Sequence, residues 1–156
     1  MLRKEVTQLN SCTNFSLKDT IKFLKKNDNY IILTHMSPDG DTLGAGYALY
    51  YGLKQLGKQA EVVCPDVIPQ DYAYFLCETD HVACDGATIV AVDIADRRLL
   101  GSLESFGDDV DLNIDHHISN TRYAKALYLD EKASATCEIV YEILLGLKVK
   151  LNDAIA

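Results

Sequence analysis

Residues 32–49 read ILTHMSPDGDTLGAGYAL. An apolar run of strand character ends on His35, passes through a Ser-Pro-Asp-Gly turn and becomes a small-residue helix. His35, Asp39 and Asp41 therefore crowd the junction, three side chains able to bind metal within seven positions. A strand that feeds directly into a helix is the repeating unit of a parallel α/β sheet, and ligands of such sheets bind where the strands end.

Working outward, Ser16 is placed to N-cap the segment LKDTIKFLKK, in which Leu17, Ile21 and Leu24 share one helical face. Asn27, Asp28 and Asn29 then turn the chain into the strand YIILTH. Residues 1–15 show only weak periodicity and fit either a short first helix or a loose terminus. On the other side, a helix opens near Thr42 and runs to Gly57 as its C-terminal cap, with Leu43, Tyr47, Tyr50 and Leu53 toward a core. AEVVC, TIVAVD, VDLNID and AKALYLD read as further strands, PQDYAYFLC as a brief helix, ADRRLLGSL as helical or irregular, and SATCEIVYEILLGL as a strongly apolar helix. The expected fold is α/β, a mostly parallel sheet of about five strands with helices on both faces and right-handed crossovers. Gly44-Ala45-Gly46 lies inside a helix, so it is no dinucleotide fingerprint; close helix-on-sheet packing accounts for it.

The totals bound the function. A chain of 156 residues, 48% hydrophobic and 24% charged, fits one ordinary globular domain. It has no apolar run long enough to span a bilayer and no signal-peptide pattern, which points to the cytoplasm. A net charge of -8 argues against gripping long nucleic acid by electrostatics alone, although carboxylates that hold divalent cations present positive charge to an anion. The five cysteines are odd in number with no CxxC spacing, so buried free thiols are expected in place of a disulfide framework or zinc ribbon. His81, between Cys77 and Cys84, lies in turn-like sequence and reads as surface.

Three predicted strands finish in the same chemistry: His35 with Asp39 and Asp41, then Asp93, then Asp115-His116-His117. Taken singly, each has a plainer reading: Asp39-Gly40-Asp41 as a turn and helix cap, Asp93 as a cap of the next segment. Together they place carboxylates at one sheet edge, where they would repel one another without compensating cations. Imidazole with carboxylate suits Mn, Fe, Co, Zn or Mg, and the expected arrangement is a two-metal site sharing one carboxylate. Arg97, in Asp96-Arg97-Arg98, is a candidate to orient a phosphate, with a solvated helix face as its alternative.

With HMSPDGD, VAVDIAD and NIDHHISN in this order, the chain resembles the DHH family of phosphoesterases from about Ser16 onward. DHHISN followed by ASATCEIVYEIL is most similar to the small bacterial nano-RNase and pAp-phosphatase branch. The resemblance implies that His35 and Asp39 hold one metal, Asp41 and His116 the other, and that Asp93 bridges them, with Mn2+ the usual ion and Mg2+ or Co2+ as substitutes. It implies that His117 stabilises charge or donates a proton at the scissile phosphate, that Asp115 orients the imidazoles, and that Asn120 and Ser134 position substrate. It implies hydrolysis of short oligonucleotides or nucleotides. Within the superfamily the rivals are cyclic-dinucleotide hydrolysis and pyrophosphatase activity, and outside it a module that binds nucleotide without turnover. The family's fourth motif, an aspartate in a DTG-like segment, and its C-terminal domain with a GGGH-type loop have no counterpart in residues 1–156, so the chain is expected to be the N-terminal DHH domain of a longer protein. The oligomeric state stays open, a homodimer included.

Overall fold

The computed structural model describes residues 12–75 and 79–155. In chain order these form β1 (Thr13–Asn14), α1 (Leu17–Lys26), β2 (Tyr30–Leu33), α2 (Gly40–Gln55), β3 (Ala60–Val63), β4 (Thr88–Val92), β5 (Leu112–Asp115), β6 (Ala126–Leu129) and α3 (Thr136–Leu147). Two 3-10 segments, Gln70–Phe75 and Arg97–Phe106, stand where a brief helix and a helical or irregular stretch were expected. The six strands form one sheet in the order β1-β6-β5-β4-β2-β3, and every pairing is parallel.

The expected strand count falls short by one. β1 lies where a short helix or loose terminus was the reading; it pairs with Ala126 and Leu127 as an exposed two-residue edge strand. So short a strand has no period to read, and its pairing is set by the neighbouring strand. The expectation for residues 1–11 lies outside the described residues.

Local chemistry explains the helices. Ser16 caps α1 in a reciprocal box, its Oγ accepting from Asp19 N at 3.2 Å while the Ser16 N–H donates to Asp19 Oδ2 at 3.0 Å. Beyond the end of α2, Gly57 adopts φ 75, the left-handed turn that a glycine takes without strain. Gly46 faces the sheet closely enough that an added Cβ would lie 3.1 Å from Thr34 Cγ2 and 3.7 Å from both Val62 and Val92. That is the close packing its sequence setting implied.

Strand alternation divides the core in two. Tyr30, Ile32, Val90, Val92, Leu112 and Ile114 face α1, α2 and α3, with Leu24, Leu49, Leu53, Ile139, Ile143 and Leu144 opposite. Ile31, Leu33, Ile89 and Ala91 point to the other face, where Ile94, Leu100 and Val110 cover them with the Arg97–Phe106 segment. The strand order reverses at β2: the chain passes from β2 outward to β3, then returns past β2 to β4 and continues the other way. A crevice therefore opens between the carboxyl ends of β2 and β4, the switch point at which open parallel sheets bind ligands.

Among the four described cysteines none is fully buried; Cys84 is exposed and Cys12, Cys64 and Cys137 are partly covered. This corrects the expectation of buried thiols, which rested on composition and could not see that Cys84 falls in a turn before β4 and Cys137 in the first turn of α3. Cys77 lies outside the described residues.

Candidate metal centre

His35 follows β2 and Asp93 follows β4, so the switch point brings them face to face. Thr42, wholly buried in α2, ties these ends together: its hydroxyl donates to Val92 O at 3.2 Å and accepts the His35 N–H at 3.3 Å. Asp93 takes a left-handed backbone, φ 62, while its N–H still donates to Ile114 O at 2.9 Å. For a non-glycine residue this conformation costs about 1–2 kcal/mol, and aspartate is among the residues that tolerate it. The strand thus ends abruptly on a carboxylate that is 3% exposed.

Asp93 is the centre of the arrangement. Its Oδ2 lies 3.6 Å from His35 Nε2, which is also 3.7 Å from Asp39 Oδ1. Its Oδ1 lies 3.7 Å from His116 Nε2, which is also 3.7 Å from Asp41 Oδ2. His117 Nδ1 sits 3.6 Å from the same Oδ1. The six residues from three strand ends thus converge on one rim, with one Asp93 oxygen serving each half.

The plain reading of Asp39 holds as well. Its carboxylate N-caps α2, Oδ1 accepting from Asp41 N at 3.0 Å and Thr42 N at 3.1 Å, yet the side chain remains mostly exposed. One group caps the helix and faces His35.

The imidazoles are oriented from behind. His35 Nδ1 meets Met36 O at 2.8 Å and His116 Nδ1 meets Ala133 O at 3.2 Å, so both rings turn Nε2 to the carboxylates. Metal-binding histidines characteristically donate their second ring N–H in this manner. His117 Nδ1 lies 2.8 Å from Asp115 Oδ1, an oxygen that also accepts the N–H groups of His116 at 2.8 Å and His117 at 3.2 Å. Asp115 is fully buried, and its Oδ2 accepts the Asn120 amide at 2.6 Å.

The donor set fits divalent cations. Separations of 3.6–3.7 Å between imidazole nitrogen and carboxylate oxygen are too long for hydrogen bonds. Two ligands each about 2.0–2.2 Å from a shared ion, at tetrahedral to trigonal angles, lie about 3.3–3.8 Å apart. Burial by itself would lower the pKa of His35, but Asp93, the Met36 carbonyl and Asp39 outweigh it and raise the value. His117 behaves alike: burial lowers, while Asp115 foremost, then Asp93 and Asp41, raise it further. In both rings positive charge is what the surroundings favour.

Sequence reasoning missed Thr136. Its hydroxyl donates to Asp93 Oδ1 at 2.8 Å, and the N–H groups of Thr136 and Cys137 donate to the two oxygens of Asp41, each at 2.8 Å. A threonine opening the last apolar helix was the available signal. Ser134, expected near substrate, is exposed, and its N–H donates to Glu138 Oε2 at 2.8 Å. Arg97 is engaged by Asp108 and Glu104, and its side chain lies along Gly107. His81 is exposed and 3.4 Å from Glu61 Oε1, the surface residue its setting implied.

Fold and rim together define an α/β domain that gathers a carboxylate–imidazole cluster at the switch point of a parallel sheet. The profile described as "DHH family, N-terminal domain" matches residues 29–156, and the chain belongs to the DHH family. Among curated relatives, the bifunctional oligoribonuclease and PAP phosphatase NrnA of Thermus thermophilus is 35% identical, the match covering 80% of this chain and 39% of that protein. A protein of Enterococcus faecalis named "Probable manganese-dependent inorganic pyrophosphatase" is 29% identical over 81% of this chain and 44% of its own length. The chain thus spans about two-fifths of these relatives. A crystal structure of an exopolyphosphatase-related protein from Bacteroides fragilis has the same fold, with a TM-score of 0.67 at 20% identity over 94% of this chain and 46% of that one. The family read from the three ordered motifs is borne out.

Proposed function

We propose that this chain carries the metal-binding centre of a phosphoesterase acting on short oligonucleotides or phosphorylated nucleotides. One observation carries the reading: the two oxygens of Asp93 are divided between the His35/Asp39 side and the His116/Asp41 side. In this reading His35 and Asp39 hold one cation, Asp41 and His116 a second, and Asp93 serves both. When bound, such ions supply an acidified water as nucleophile and offset charge on the phosphoryl oxygens. Mn2+ is the proposed ion, supported by the name of the pyrophosphatase relative, with Mg2+ or Co2+ as substitutes. The name of the Thermus relative supports the substrate class.

The chain's own groups supply the rest. His117, held at Nδ1 by Asp115, keeps Nε2 for the substrate, where it stabilises charge or delivers a proton to the leaving oxygen. Asp115 keeps that ring in one tautomer. Asn120 donates to Asp115, so it acts through the imidazole, while Ser134 and Arg97 remain proposed substrate contacts at the periphery. Both halves of the centre come from one chain, so a homodimer is compatible with the reading but not required by it. Among the described residues no helix is long and apolar enough to cross a membrane, and a cytoplasmic setting is part of the proposal.

The test is a panel of pAp, a diribonucleotide, cyclic di-AMP and pyrophosphate, each with Mn2+ and with chelator. Chelator-sensitive release of mononucleotide or phosphate from the first two substrates is the expected result. Faster turnover of cyclic di-AMP or pyrophosphate would move the chain to a sister activity. Calorimetric binding of nucleotide without turnover of any substrate would make it a binding module.

A further inference from the structure

We propose that Thr136 is a positioning residue: with the first turn of α3 it sets the carboxylates of Asp93 and Asp41 so that their remaining lone pairs face the imidazoles. The proposal rests on the metal-centre reading above.

Thr136 is fully buried, and its hydroxyl lies 2.8 Å from Asp93 Oδ1. A carboxylate only accepts, so the hydroxyl is the donor. The terminal torsion of an aspartate side chain is soft, with a broad range of rotations close in energy. The Thr136 bond selects one rotation. It pins Oδ1 on the His116 side and thereby directs Oδ2 to His35, the division on which a shared carboxylate depends.

The same turn fixes Asp41. Ala135, the residue at the N-cap of α3, offers no side-chain cap, so the first N–H groups of the helix need acceptors from elsewhere. Asp41 supplies both, Oδ2 to Thr136 N and Oδ1 to Cys137 N, each at 2.8 Å. Its Oδ2 is also the atom 3.7 Å from His116 Nε2. Seating α3 on the sheet and orienting two acids of the rim are one structural event. Thr136 is the joint, since it touches Asp93 through its side chain and Asp41 through its backbone.

Threonine is required here for its hydroxyl. Valine has nearly the same shape without the donor, serine keeps the donor without the methyl, and alanine lacks both. The readout is the Mn2+ dissociation constant from calorimetry on wild type, Thr136→Val, Thr136→Ser and Thr136→Ala, with circular dichroism establishing that each is folded. Removal of a group that orients metal ligands typically weakens affinity about 10–100-fold. That loss is expected for Val and Ala, with Ser near wild type. Wild-type affinity in Val, or a loss in Ser as large as in Ala, would overturn the proposal. Should Val fail to fold, the Ser and Ala pair decides it. A wild type that binds no Mn2+ would instead remove the metal-centre reading itself, so the two failures are told apart by the unsubstituted protein.

Discussion

Replacing Asp93 with asparagine tests the shared carboxylate directly. Asparagine keeps the side-chain shape and tolerates the left-handed backbone at φ 62, so the strand end is preserved while the charge is lost. A ligand that binds only the folded state at 100 times its dissociation constant stabilises that state by about 2.7 kcal/mol. For a domain of this size each kcal/mol moves the melting temperature by about 2–4 °C, so each occupied site raises it by about 5–11 °C. Asp93 faces both halves of the centre, whereas Asp39 faces only His35. Thermal melts in Mn2+ against chelator should therefore show the full shift in wild type, roughly half of it in Asp39→Asn, and almost none in Asp93→Asn. If Asp93→Asn kept a metal-induced shift as large as that of Asp39→Asn, the two halves would not share this carboxylate.

Two further outcomes follow from packing and charge. Gly52 sits within α2, where alanine would ordinarily gain about 0.5–1 kcal/mol, but its Cβ would fall 2.2 Å from Leu144 Cδ2, a side chain 1% exposed. Overpacking of this kind costs about 1–3 kcal/mol, so Gly52→Ala should lower the urea midpoint; a raised midpoint would mean that α2 and α3 meet less tightly. For His35 and His117, folded-state pKa values stand above the ordinary value, so protons bind more tightly in the native protein. Their contribution to stability is full below about pH 6.5 and is lost as pH rises through the folded values. Melts in chelator across this range should show stability falling as pH rises, and a flat or rising profile would contradict the charge environment described for the two rings.

Much of the centre was legible because its chemistry is local. His35, Asp39 and Asp41 belong to one strand–turn–helix junction, and a short polar turn between an apolar strand and a helix has few ways to fold. Asp93 and Asp115-His116-His117 each end an apolar run, so parallel strands had to deliver them to the same edge. β1 was not legible, because two exposed residues carry no alternation and pair only once Ala126 and Leu127 stand beside them. The partners of Arg97 were not legible either: Gly101, with φ 54, kinks the segment Arg97–Phe106, and the Arg97 side chain lies on Gly107 with Glu104 and Asp108 beside it.

By itself the order of residues determined which groups end the strands and that the strands run parallel, since period, caps and turn residues act over a few positions. The tertiary structure decided how the groups face one another. Asp41 and Thr136 stand 95 positions apart and meet only when α3 is docked beside α2. Asn120 turns to Asp115 only because the loop after β5 folds back on the buried acid. Hydrogen bonds between distant segments depend on strand register and on how helices seat against the sheet, and these are settled by the packing of the whole core.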